Sequence, residues 1–462
     1  MQLDQILLQA QRQGQLLRVQ KPVSPFLEAP AIAYRLLHDQ AKTSLLLFET
    51  LNGCSSKLLF NLFADLKRCR ELMRGCDGVT LEQRIAALPD GVASLPAFAN
   101  WLAEQKLSGS SPALFDPEGY RVLSSLSALP QVTHWPQDSS PYFSFATLWC
   151  NAPGSRVPNG GVYRLCPMDS TRLSVHWNAG SQALRCYQGY QLRGQRMPVA
   201  ITWGGDPVWL FASVFPIGRF GSTLALARFV RSTPLPVIQL PNGLVVPADS
   251  SCVMTGWIDS VAVADPGHFA NHSGCYVPSG SCPVVQVEKI YCRDPMVLPA
   301  TVVGPAPTEN SCFGRYIWSV LEIFIKREFP AVLSVHVPQE LVFHPVVIIQ
   351  VRAPAQFGDW QQLKRNLRDH ALLKGSRCLF LIDETMMPQR AELLLWSLIN
   401  ARAQGGECDT SGSTIVDLVE GRFKDPPRVV PDARMVDWIE QHWQDYFSPS
   451  EGVASDESDS SF

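Results

Sequence analysis

The stretch Pro158–Trp177, PNGGVYRLCPMDSTRLSVHW, decides how the centre of this 462-residue chain is built. It opens with Asn159, Gly160 and Gly161, a turn signal in which glycines let a backbone approach a ligand closely. In the strand expected next, side chains alternate, so Val162 and Arg164 share one face while Tyr163 and Leu165 share the other. In TRLSVHW (171–177), Leu173, Val175 and Trp177 form an apolar face, and Arg172, Ser174 and His176 lie opposite. A histidine on the polar face of a strand, near an arginine and a turn asparagine, could help bind a metal or a phosphate. Solvated residues carry the same pattern, so spacing alone leaves both readings open.

Working outward, short β-branched or aromatic runs continue from about 120 to 310: PYFSFATLW (141–149), PVAITWGGDP (198–207), GLVVPADSSCVMTGWI (243–258) and CPVVQVEKIYC (282–292). Strands at this spacing predict an antiparallel barrel or sandwich, interrupted by a helix near 221–231. Before this region the spacing predicts a helix over 2–20, a strand over 45–51 and helical segments over 64–106, broken near Pro89 and Pro96. After it come a helix at 314–328, strands at 331–337, 345–352 and 378–383, and helices at 358–372 and 389–403, the alternation of a small α/β domain. The fold class expected is multidomain α+β. The boundaries are an N-terminal α/β domain at 1–115, a central β-rich domain at 116–312, a C-terminal α/β domain at 313–447 and an acidic, serine-rich disordered tail at 448–462.

The bulk composition excludes several classes. Apolar residues make up 46% and charged residues 18%, as in a folded enzyme. A net charge of −3 gives no general affinity for nucleic acid. No apolar run approaches the ~18 residues that cross a bilayer, and the first residues lack a secretory core, so a cytoplasmic protein is expected. The thirteen cysteines are scattered, odd in number and without a CxxC pair, which argues for reduced thiols rather than a disulfide framework or a zinc ribbon.

Other candidates are weaker. His268 and His272, in GHFANHSGCY (267–276), are four apart, but the glycines argue against the helix that would make them a metal pair. Asp383 with Glu384, and Asp417 with Glu420, have no partner at a suggestive spacing. Neither a GxxxxGK[ST] nor a GxSxG motif occurs, which lowers the P-loop and serine-hydrolase readings.

The order of motifs resembles the UbiD family of decarboxylases. The series begins with PVSPFLEAPAI (22–32) and LLLFETLNG (45–53) and continues through WPQDSSPY (135–142), NGGVYR (159–164) and HW (176–177). It closes with PVAITWGGDP, VVPADS (245–250), NHSGCY (271–276), CRDP (292–295), GPAPTEN (304–310) and LFLIDET (379–385). Each motif alone is weak; their collinear order is not. The resemblance implies a central split β-barrel that binds flavin, flanked by an N-terminal α/β domain and a C-terminal α/β domain used in oligomerisation. It also implies decarboxylation of an aromatic or α,β-unsaturated acid with prenylated FMN, and a homo-oligomer whose cofactor a flavin prenyltransferase supplies. A quinone precursor such as 4-hydroxy-3-polyprenylbenzoate is one expected substrate.

Carried over by motif, Asn159 and His176 would ligate a divalent metal (manganese, with or without a monovalent cation), and Arg164 would lie beside the flavin. Two departures stand against this pattern. Thr223 occupies the position of the family's third metal ligand, a glutamate, and a neutral hydroxyl is a poorer ligand for a hard cation. The family's Glu-Gly-Pro-Phe-Gly-(Glu/Asp)-His reads PGHFANH (266–272) here, so Pro266 and Asn271 replace its two acids. A one-residue slip would offer Asp265, and His268 or His272 could donate a proton instead. Two functions follow: an active decarboxylase using Arg164 with Asp265, His268 or His272, or a catalytically impaired relative that binds flavin or assembles with another protein.

Overall fold

Strands Asn159–Val162 and Arg164–Pro167 are separated by Tyr163 alone, yet they lie at opposite ends of the central sheet. From one end to the other the path runs Asn159–Val162, Thr147–Cys150, Met197–Trp203, Cys252–Ala264, Cys282–Cys292, Arg172–His176 and Arg164–Pro167. Two residues of chain reach about 7 Å at most, so the sheet must curl until its edges approach. The neighbouring pairs on this path are antiparallel. Arg121–Leu123 adds a further antiparallel strand beside Cys282–Cys292. The computed structural model describes residues 2–38, 43–105, 111–178, 180–219, 221–343, 346–352, 359–384, 386–389, 408–409, 414–418 and 433–442.

Strand alternation explains this curled sheet only in part. Leu165, Leu173, Val175, Ile201, Met254 and Val285 enter one buried cluster, as their spacing predicts. The supposed polar face of 172–176 is not solvated throughout, however. Ser174 is fully buried and His176 is half-buried, because that face turns towards other parts of the protein.

Past the tight turn at Gly204 and Gly205, both with positive φ, Asp206 accepts the Val208 N–H at 3.0 Å and opens helix Val208–Val214. Helix Thr223–Arg231 follows, as expected from 221–231, with Ser222 as its N-cap. Arg231 at its end is buried against Asp206, its Nε donating to Oδ2 at 2.8 Å, and its Nη1 reaches the Arg74 carbonyl at 2.9 Å. This links the curled sheet to the N-terminal segment.

The N-terminal helix is shorter than expected from 2–20. It spans Leu3–Arg12, and Gly14, at φ +68°, turns the chain into strand Leu16–Val19, parallel to Leu45–Phe48. Leu16 and Leu17 therefore satisfy a helical spacing by accident. Pro96 sits in the first turn of helix Leu95–Glu104 behind the Ser94 cap, where its missing N–H costs nothing, and so it starts a helix rather than breaking one. The four-stranded N-terminal sheet is completed by Val297–Pro299, parallel to Lys57–Phe60, although those residues lie within the segment expected to form the central domain.

Helix Glu309–Glu328 begins five residues earlier than its spacing predicts, at a Thr308 capping box. It leads into a sheet ordered Val332–His336, Val346–Val351, Cys378–Asp383, Thr414–Asp417 and Cys408–Asp409, with helix Trp360–Asp369 between its second and third strands. The expected helix at 389–403 and the tail at 448–462 lie outside the described residues, except at 389. No helix among the described residues is long and apolar enough to cross a membrane. The twelve cysteines from Cys54 to Cys378 are free of disulfides.

Candidate active site

A cavity of about 600 Å³ opens beside the edge strand that carries Arg164. That volume lies within the range of small-molecule and cofactor sites. Its walls are largely apolar or aromatic, with Tyr142, Phe269, Phe313 and Phe343 the chief rings, and with Arg164, His176, Asn178 and His272 as polar groups. No aspartate or glutamate is among the described residues that line it.

Arg164 dominates the electrostatics. Its guanidinium carbon lies 3.3 Å from the centroid of the Phe269 ring and 4.5 Å from that of Tyr142, contacts worth about 0.5–2 kcal/mol each when desolvated. Nη2 donates to the Ala270 carbonyl at 3.4 Å, while Nε is buried with no hydrogen-bond partner among the described residues. Two histidines feel this charge. Burial first, and then Arg164, lowers the pKa of His176 below its ordinary value. The same two causes push His134 down to about 3. His134 is buried, stacks on Tyr142 at 4.2 Å and is hydrogen-bonded at Nε2 to the Thr301 carbonyl at 3.0 Å. Both imidazoles are therefore neutral near pH 7, beside the Arg164 charge.

The segment 266–278 forms a hairpin of strands His268–Ala270 and Tyr276–Pro278, and its turn carries Asn271 and His272. Asp138 of the WPQD motif fastens it, accepting the Ala270 N–H at 2.9 Å through one oxygen and the Trp135 N–H at 3.0 Å through the other. This arrangement separates the candidates. Asn271 and His272 line the cavity, where His272 stacks face to face on Phe343 at 3.6 Å. His268 and Asp265 do not line it. The His268 backbone N–H donates to Ser139 Oγ at 2.9 Å and its ring lies 3.2 Å from that hydroxyl, while exposed Asp265 accepts the Gly267 N–H at 2.9 Å. Strand alternation and turn geometry point these two away. Pro266 lends only its carbonyl, to Ser140 at 3.0 Å.

Among the described residues, those implied for a metal have other partners. Asn159 lines a second cavity of about 290 Å³, which shares Tyr163 and Val214 with the first, and its amide faces Cys150 Sγ at 4.0 Å. His176 Nδ1 is 3.7 Å from Cys282 Sγ. Thr223 is fully buried, and its hydroxyl both accepts the Gly160 N–H at 3.1 Å and donates to the Gly160 carbonyl at 3.4 Å. Among the described residues no group of three histidine, cysteine or acidic side chains could hold a metal ion. A flavin and an organic acid fit the cavity by size, apolar lining and unpaired donor; a divalent cation does not fit the donor set.

Sequence reading missed Tyr142, Phe269, Asn178, Asn310 and Phe343. Tyr142 and Asn310 close two of the quoted motifs, WPQDSSPY and GPAPTEN, which was the available signal. Phe343 carried none, because the turn that brings it to His272 depends on Val342 packing over Gly314, where a Cβ would stand 2.9 Å from Val342 Cγ2.

This mixed α/β fold with its curled antiparallel sheet is similar to that of solved UbiD-class enzymes. The match in structure to the UbiD-class enzyme HmfF from Pelotomaculum thermopropionicum, solved in complex with prFMN, has a TM-score of 0.72 at 20% identity over 94% of this chain and 98% of that one. The closed form of vanillic acid decarboxylase from Sedimentibacter hydroxybenzoicus gives 0.77 at 18% identity, covering 97% and 99%. The apo 3,4-dihydroxybenzoic acid decarboxylase of Klebsiella pneumoniae gives 0.68 at 19%, covering 96% and 99%.

The chain belongs to the UbiD family. Residues 118–306 match the 3-octaprenyl-4-hydroxybenzoate carboxy-lyase Rift-related domain and residues 7–88 match the N-terminal domain of that family, together more than half of the chain. An uncharacterized protein of Aquifex aeolicus (strain VF5) is 26% identical over 358 residues, 74% of this chain and 72% of its own length.

Proposed function

We propose that this protein is a non-oxidative decarboxylase of an aromatic or α,β-unsaturated carboxylic acid that works with prenylated FMN in the cavity beside Arg164. One observation carries the reading: among the described residues, an arginine whose buried Nε has no hydrogen-bond partner faces a cavity of aromatic rings lined by no carboxylate. A lone guanidinium in such surroundings favours an anion with a flat apolar body. Bound there, prenylated FMN would supply the electron sink that lets the bond between a carbon and a carboxylate break.

The chain's own residues do the rest. Arg164 orients an acid, and the rings of Phe269, Phe313 and Phe343 exclude water from it. Asn178 and Asn310 offer hydrogen bonds to ring substituents, which suits a hydroxylated aromatic acid such as a quinone precursor. His272 is the proton carrier, because imidazole exchanges protons near neutral pH and His272 is the hairpin histidine that lines the cavity. Asp265 and His268 have no part in this proposal, and neither does manganese. A homo-oligomer supplied by a flavin prenyltransferase completes it.

The alternative, a catalytically impaired flavin-binding or assembly protein, is favoured by the missing lining acid. The deciding experiment is co-expression with a flavin prenyltransferase, followed by an absorbance spectrum, mass analysis and a screen of aromatic acids for carbon dioxide release. Turnover supports the decarboxylase. Bound cofactor without turnover on any acid supports the alternative, and an empty protein beside a working family control sinks both.

A further inference from the structure

Helix Glu309–Glu328 walls two cavities on different faces. Asn310, Phe313, Gly314 and Ile317, spaced as one helical face, line the large one. Arg315, Tyr316, Ser319 and Glu322 line a separate cleft of about 180 Å³, which Arg70 and His336 border from the N-terminal and C-terminal segments. The cleft is roomy for a few water-sized groups but too small for a flavin.

Its polar groups are unevenly matched. Arg70 is paired with Glu82 at 3.0 Å. Arg315 has no hydrogen bond or ion pair among the described residues. Its charge falls instead on His336, a partly buried imidazole pushed down to about 4 by burial first and by Arg315 second. Tyr316 is 1% exposed, and its hydroxyl has no hydrogen-bond partner among the described residues. Glu322 is the one acid among the described residues that line the cleft, and it accepts the Val335 N–H at 3.2 Å. Burial raises its pKa, and the charge bearing on it is that of Lys326 rather than Arg315. Arg315 and a second basic group thus border the cleft, partly buried, and among the described residues neither is ion-paired with a carboxylate.

We propose that this cleft binds a small oxyanion, phosphate or a short carboxylate, through the Arg315 guanidinium with His336 and the Tyr316 hydroxyl as further donors. A guanidinium presents paired N–H groups that match two oxyanion oxygens. The anion would pair with the Arg315 charge, accept a hydrogen bond from the neutral His336 imidazole and satisfy the buried phenol. The site is independent of the large cavity, so this inference does not rest on the decarboxylase reading.

The test is calorimetric and thermal-shift titration of the full-length protein with sodium phosphate and, separately, sodium malonate, each against sodium chloride of equal ionic strength. Saturable binding of either anion is expected, weakened about tenfold or more in Arg315→Gln. It should weaken by a few-fold in Tyr316→Phe and be unchanged in Arg164→Gln. Phosphate binding without malonate binding would narrow the ligand to a tetrahedral anion within the same proposal. No saturable response to either anion overturns it, as does wild-type affinity in Arg315→Gln or loss of binding in Arg164→Gln alone.

Discussion

The hydroxyl of Thr223 accepts the Gly160 N–H at 3.1 Å and returns a hydrogen bond to the Gly160 carbonyl at 3.4 Å. The side chain standing where a third metal ligand is expected thus fastens a helix to the edge of the curled sheet. Both its donor and its acceptor capacity are engaged with backbone, and the site is fully buried. A carboxylate there would have to displace that backbone contact or carry an uncompensated charge into the interior.

The first prediction concerns metal. Purified protein should contain well under one manganese per chain by elemental analysis, and dialysis against a chelator should leave its melting temperature unchanged. A stoichiometric ion whose removal lowers the melting temperature would contradict the donor geometry.

Arg164→Ala should abolish detectable decarboxylation, and Arg164→Lys should recover only a small part of it. An ammonium cannot reproduce a planar group stacked on Phe269 and Tyr142. Steady-state carbon dioxide release checks this, and full activity in the lysine variant would remove the planar-recognition argument.

His272→Ala should slow turnover by roughly 10²–10⁴, the usual contribution of a positioned proton carrier. His268→Ala and Asp265→Asn should stay near the parent rate, since neither residue lines the cavity. Comparing kcat and KM for the three variants separates these roles, and an unaffected His272→Ala enzyme would leave the proton to water.

Glu309 predicts a dependence of stability on pH. Its carboxylate is 2% exposed and accepts the N–H groups of Phe63 at 2.8 Å and Asn61 at 3.1 Å. Burial pushes its pKa from 4.5 up to about 7, against the pull of those donors. Between these two values the unfolded chain has released the proton while the folded protein still holds it. This group's contribution to stability therefore falls as pH rises from 4.5 to about 7 and levels off above. The loss is on the order of 3 kcal/mol. Glu309→Gln, which cannot ionise, should flatten the difference between urea midpoints at pH 5 and pH 8. An unchanged difference would assign the slope to other groups.

Local pattern carried much of the architecture. The strand Cys378–Asp383 lies at its expected bounds, and Trp360–Asp369 and Thr223–Arg231 fall within theirs, because period and caps agree there. Periodicity failed at 16–19, where two leucines fit a helix and a strand equally and Gly14 decided the matter. It failed again at Ser174, since period two tells which residues share a face but not whether that face meets water.

The family is legible from motifs in a fixed order, and the departures from its acidic positions at Thr223, Pro266 and Asn271 are what the resemblance implies. Those are properties of residue identity and can be read without coordinates. Only the tertiary structure decided that His272 rather than His268 or Asp265 faces the cavity, that Arg164 rests on Phe269 and Tyr142, and that Val297–Pro299 joins the N-terminal sheet. Apart from the Arg164–Tyr142 contact, these depend on contacts between segments more than a hundred residues apart, Ala270 held by Asp138 among them. The direction of a side chain in a hairpin turn is set by such partners, and no local propensity encodes them.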